Sequence, residues 1–68
     1  MDVNYYIRLS YLNGREATYQ EVQEDIDRAR RKYHDVPEIQ LKLDRRQEAL
    51  DKLKKEVANE KAQMFNYN

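Results

Sequence analysis

Apolar residues recur along the second half of the chain at a spacing that suits a helix with one buried stripe. Ile39, Leu43, Arg46, Leu50, Leu53, Val57, Glu60 and Met64 step by four and three in alternation, and six of these eight positions are apolar. A stripe of this period is the seam of a helix packed against another helix. Acid-before-base pairs four residues apart, Glu38–Lys42, Glu48–Lys52 and Asp51–Lys55, each add roughly 0.2–0.5 kcal/mol. No glycine or proline follows Pro37, so the pattern predicts one long helix over about residues 37–64.

A second stripe precedes it. Tyr19, Val22, Ile26, Ala29, Tyr33 and Val36 repeat at three and four, which predicts a helix over about residues 19–34. Thr18 and Glu21 have the spacing of a capping box, in which each side chain accepts from the other residue's amide. The stretch "HDVPEI" marks a break, because proline disfavours helical geometry in Val36 before it, and Asp35 with Glu38 can cap the helix that follows. So short a connection makes the two helices antiparallel neighbours.

Residues 3–12, "VNYYIRLSYL", fit two patterns. Val3, Tyr5, Ile7, Leu9 and Tyr11 alternate as in a strand, and Asn13-Gly14 suits a hairpin turn. The returning strand would be short, would consume Thr18, and would find no third strand to join. Read as a helix over about 4–12, the segment lines up Tyr5, Leu9 and Leu12 on one face, with Asn4 or Asp2 as its cap and Gly14 as its end. The helix is favoured. The expected fold is all-α: a short N-terminal helix, then an antiparallel helical hairpin with a long C-terminal helix and coiled-coil-like packing, in one small domain spanning 1–68. On these lengths the last helix overhangs the middle one, leaving Leu53, Val57, Met64 and Phe65 to be covered by the first helix or by another chain.

Composition sharpens this picture. The 68 residues contain no cysteine, one histidine (His34), one glycine and one proline, and 38% are charged. A chain this short is marginally stable unless a disulfide, a metal or a partner helps. Disulfides are excluded, which points towards self-association, with a homodimer expected. No apolar run approaches the ~20 residues of a membrane span, and no secretion signal is legible at the start, so a cytoplasmic location is expected. The formal net charge is zero but unevenly spread: −4 over residues 1–27, +4 over 28–46, and balance over 47–68.

Candidate chemistry is sparse. One serine (Ser10), one threonine and one histidine offer no nucleophile pair at telling spacing, a single glycine cannot build a phosphate-cradling loop, and the paired carboxylates lack the histidines of a metal-binding bundle. No catalytic, cofactor-binding or metal residues are assigned, and no cofactor is expected. His34, near a helix end, is expected to meet free backbone carbonyls.

Tyrosine is abundant, with six residues, and combines apolar area with a hydroxyl that tolerates water. Tyr19 and Tyr33 fall on the seam and read as core. Tyr6 and Tyr11 cannot face the same side as Tyr5 and Leu9, so they read as interface residues, together with Leu50, Leu53, Val57, Met64 and Phe65. Arg46 and Glu60 are the two polar residues of the long seam, seven to either side of Leu53. They read either as register-setting partners between two antiparallel copies or as long side chains reaching past the seam to water.

A basic cluster of Arg28, Arg30, Arg31, Lys32, Lys42 and Arg45 lies around the predicted turn. It reads as a possible nucleic-acid contact or as the complement of the acidic first third. The favoured function is a small non-enzymatic interaction module, a regulator, inhibitor or adaptor that binds another protein and self-associates. The alternative is a nucleic-acid-binding helical hairpin.

Overall fold

A computed structural model describes residues 3–65, and they form two α-helices: α1, Val3–Lys32, and α2, Pro37–Phe65. Neither contains a strand, so the all-α expectation holds and the strand reading of residues 3–12 does not. Asp2 and Tyr67 lie outside the described residues. Arg8 pairs with Glu60, Arg30 with Asp44, and Lys61 with Glu16. The start of one helix therefore lies beside the end of the other. The result is a rod of two antiparallel helices, 52 × 15 × 11 Å.

The two expected helices about 4–12 and 19–34 are a single helix. Gly14 sits inside α1 without a positive φ. Thr18 does not cap, because its hydroxyl donates to the Gly14 carbonyl one turn back, at 3.1 Å. The physical reason lies in the pattern of burial. Tyr5, Leu12, Tyr19, Ile26 and Tyr33 are spaced by seven, and all five are buried or half-buried. A break at Gly14 would expose up to eight unpaired backbone groups at two new helix ends. It would also pull Leu12, only 1% exposed, off its neighbours. An interior glycine costs about 1 kcal/mol against alanine, less than either loss. A Cβ at position 14 would meet nothing within 4 Å, so Gly14→Ala should raise stability by about 1 kcal/mol, read from a urea melt.

The predicted overhang is absent for the same reason. α1 has 30 residues and α2 has 29, so α1 covers α2 along its whole length. Leu50 and Val57 are each 3% exposed within this single chain, and Ile39, Leu53 and Met64 pack against the same core. Val36, Leu43, Leu50, Val57 and Met64 again step by seven. The expected four-three seam is therefore a column of sevens with unequal flanks. Val22 and Arg46 fall on a flank and are exposed, whereas Glu60 is half-buried there.

The turn forms where the proline predicts it. Tyr33–Asp35 leave the helix, and Val36, rather than Asp35, takes the position before the first helical residue, its carbonyl accepting from the Ile39 and Gln40 amides, each at 3.1 Å. Gln40 then reaches back across the turn. Its side-chain amide donates to the carbonyls of Tyr33 at 2.8 Å and Arg30 at 3.3 Å, satisfying groups that a helix C-terminus leaves unpaired. His34 meets the Arg31 carbonyl at 3.2 Å, as expected of a histidine there. Gln40→Ala should cost about 1 kcal/mol in the same melt.

Candidate functional site

The rod has two broad sides, and they differ in chemistry. One is closed by polar contacts between the helices. Gln23 and Gln47 exchange two amide hydrogen bonds of 2.7 Å, and Lys54 donates to the same Gln23 oxygen at 2.7 Å. Arg30 binds Asp44 at 2.9 Å, and Lys61 binds Glu16 and Asn13. We call this the glutamine side. Phe65, 63% exposed, borders a groove of about 570 Å³ on this side, together with Tyr19, Ala58, Lys54 and Lys61.

The opposite side carries Arg8, Tyr11, Arg15, Thr18 and Val22 of α1 and Lys42, Arg46, Ala49, Leu53 and Glu56 of α2, by the seven-residue register. Its one cross-helix ion pair among the described residues is Arg8–Glu60 at 3.3 Å. Val22 is 40% exposed, and Ala49, Arg46 and Glu56 are exposed. We call this the open side.

Tyrosines organise the half of the rod away from the turn. Arg15 lies one turn from both Tyr11 and Tyr19. Its guanidinium donates to the Tyr11 hydroxyl at 2.8 Å and to the Tyr19 hydroxyl through Nε at 2.8 Å and through Nη2. Its Cζ lies 5.6 and 5.3 Å from the two ring centroids, within cation–π range. The hydrogen bond to Tyr11, then that to Tyr19, raises the Arg15 pKa above its already high ordinary value, so the group stays charged. Sequence reasoning passed over Arg15, although its four-residue spacing from two tyrosines was a legible signal.

Beyond this cluster, Val3, Tyr6 and Ile7 sit at helical spacing on the side of α1 turned away from α2. All three are exposed, and Tyr6 meets Tyr5 edge-on at 6.0 Å. Tyr11, 58% exposed, borders them. Of the interface residues expected from sequence, Tyr6, Tyr11 and Phe65 are therefore accessible, whereas Leu50 and Val57 are enclosed by α1. Val3 and Ile7 were not singled out, because their period-two alternation drew them into the strand reading.

The basic residues gather at the turn, but much of their charge is engaged. Arg28 lies 3.4 Å from Asp25, Arg30 is held by Asp44 and Gln40, and Lys32 lies 5.4 Å from the Tyr33 ring. Lys42, Arg45 and Arg46 are exposed on the first turns of α2. Ser10 and His34 are separated by 24 residues, nearly the length of α1, about 36 Å of helix, and do not meet. Among the described residues no group of three or more His, Cys, Asp or Glu could hold a metal ion, and no helix is long and apolar enough to cross a membrane.

No protein-family model matches the chain, and neither curated proteins nor solved structures gave a match.

Proposed function

We propose that this chain is a small non-enzymatic interaction module: a coiled-coil-like antiparallel hairpin that binds another protein through the aromatic end of α1 and pairs with a second copy of itself. Regulator, inhibitor and adaptor are the roles such a module serves. One observation carries the reading. The hairpin buries its central column, Leu12, Tyr19 and Ile26 against Leu43, Leu50 and Val57, yet leaves Val3, Tyr6 and Ile7 exposed side by side on the outer surface of one helix. Large apolar side chains clustered on an accessible face are the composition of a docking surface rather than of a solvated one.

The test is capture of a protein partner by the intact chain, compared with Tyr6→Ser/Ile7→Ser. Both residues are exposed on the outer side of α1, so helical content should stay as it is, while the captured partner is lost and nuclease treatment changes nothing. Capture that survives the double substitution contradicts the assignment.

A second reading rests on the basic turn end. Lys42, Arg45 and Arg31 are exposed there, and a nucleic-acid backbone would be gripped by such cations. Interleaved Asp35, Glu38 and Asp44 work against it. This reading predicts a complex with duplex nucleic acid that weakens steeply with salt and is abolished by Arg31→Glu/Arg45→Glu. A fluorescence-anisotropy titration at two salt concentrations decides it, and we expect no salt-sensitive complex.

A further inference from the structure

We propose that the open side is the face on which two copies pair, antiparallel, about a two-fold axis level with Asp51 of α2 and with Ala17–Thr18 of α1. This deepens, and rests on, the self-pairing part of the function proposed above. The two sides of the rod are unequal in the way such pairing requires. The glutamine side spends its polar groups within the chain. The open side leaves Lys42, Arg46 and Glu56 with no ion pair or hydrogen bond among the described residues, around the small or apolar Thr18, Val22, Ala49 and Leu53.

Charge then selects the partner and its direction. Along α2 the open side reads Lys42, Arg46, Ala49, Leu53, Glu56, Glu60: two cations, two short or apolar residues, two anions. Reversed, this row is its own complement. Rotation about Asp51 brings Arg46 opposite the other copy's Glu56, Lys42 opposite its Glu60, and Ala49 opposite its Leu53. The same operation on α1 sets Arg8 level with Asp27 and Tyr11 level with Glu24 of the other copy, each within one helical turn of the open-side Asp25 and Val22. A two-fold interface demands this kind of self-complementarity.

Asp51 is also the midpoint of α2 (Pro37–Phe65), and Ala17–Thr18 the midpoint of α1 (Val3–Lys32). The axis that matches the charges therefore gives complete overlap of the two rods. A 52 × 15 Å side offers roughly 800 Å² per copy, the size of a standard stable interface.

Two other arrangements are disfavoured by the same residues. An axis at Leu53, which would set Arg46 against Glu60, lies level with Arg15 and would stack Arg15 on its own copy. A parallel pairing would bring both basic turn ends together, with Arg31, Lys42, Arg45 and Arg46 duplicated at one end. The antiparallel dimer keeps those ends apart. It assigns Tyr11 to the copy-to-copy face and leaves Val3, Tyr6 and Ile7, on another side of α1, for a different protein.

Arg46 and Glu56 are about 15 Å apart along one helix, too far to couple within a chain. Sedimentation of the parent, Arg46→Glu, Glu56→Arg and the double variant therefore reads the interface directly. Each single change should weaken the dimer at least about tenfold, since like charges then meet at two symmetric places. The double variant should return to within a few-fold of the parent, with circular dichroism unchanged throughout.

The cysteine-free chain allows a second reading. A short bis-maleimide should join Lys42→Cys to Glu60→Cys in a mixture and leave Lys42→Cys alone unlinked, because its two copies lie about 27 Å apart. A parent that remains monomeric at millimolar concentration overturns both this arrangement and self-pairing. A dimer that the double variant does not restore, or that links through Lys42→Cys alone, overturns this arrangement only.

Discussion

Leu50→Ala should remove most of the stability of this fold. Leu50 sits at the middle of a core of six buried side chains, Leu12, Tyr19, Ile26, Leu43, Leu50 and Val57, and is 3% exposed. Truncating a buried leucine costs about 2–5 kcal/mol, from lost transfer energy and from the cavity left behind. Two helices meet along one line, so no second layer can close over the gap. A domain of this size has only about 3–5 kcal/mol in total from its core. The same change at Leu41, which points to solvent on the same helix, should stay within about 0.5 kcal/mol. Parallel urea melts of the two variants check this, and equal midpoints would contradict the assignment of the core.

Gly14→Pro should be nearly as damaging, and for a different reason. Inside α1 the ring would remove an amide donor and collide with the preceding turn, at about 3 kcal/mol or more. Everything before residue 14 would then lose its helical continuation, and with it Leu12 and the half-buried Tyr5 and Leu9. Helical content by circular dichroism should fall by roughly the share of the chain that precedes Gly14. Were residues 13–18 a turn between two helices, proline there would be tolerated and helicity would hold. Paired with the gain expected for Gly14→Ala, the two substitutions have opposite signs at one position, a result that only a helix interior produces.

How far the sequence could be read follows from these same residues. Helicity from Pro37 onward, the turn at Val36-Pro37 and the burial of Tyr19, Ile26, Leu43 and Leu50 were legible, because each rests on a period repeated several times. Gly14 and Thr18 misled. A lone glycine after asparagine and a threonine three residues before a glutamate are local signals of a break, and each is worth about 1 kcal/mol. What overrode them is tertiary and also periodic: Tyr5 and Leu12 continue, at intervals of seven, the column formed by Tyr19, Ile26 and Tyr33. Counting sevens across the glycine would have joined the helices and removed the overhang with it.

The candidate site was legible in part. Tyr6 and Tyr11 were separable from Tyr5 by helical geometry alone, and both are accessible. Val57 was placed at an interface because the helix before the turn was read as too short to cover it. The Gln23–Gln47 pair was not legible, since a glutamine beside a seam has the same sequence signature whether it meets solvent or another glutamine. The inequality between the two sides of the rod, on which the pairing of copies rests, depends on those contacts.

The central claim is that α1 runs unbroken through Gly14 and shields α2 along its whole length. Nuclear magnetic resonance of the labelled chain tests it most directly. The account predicts helical carbon shifts through residues 13–18 and methyl contacts between Leu12 and Val57. Coil shifts at Gly14, with Val57 methyls in contact only with α2 and solvent, would contradict it.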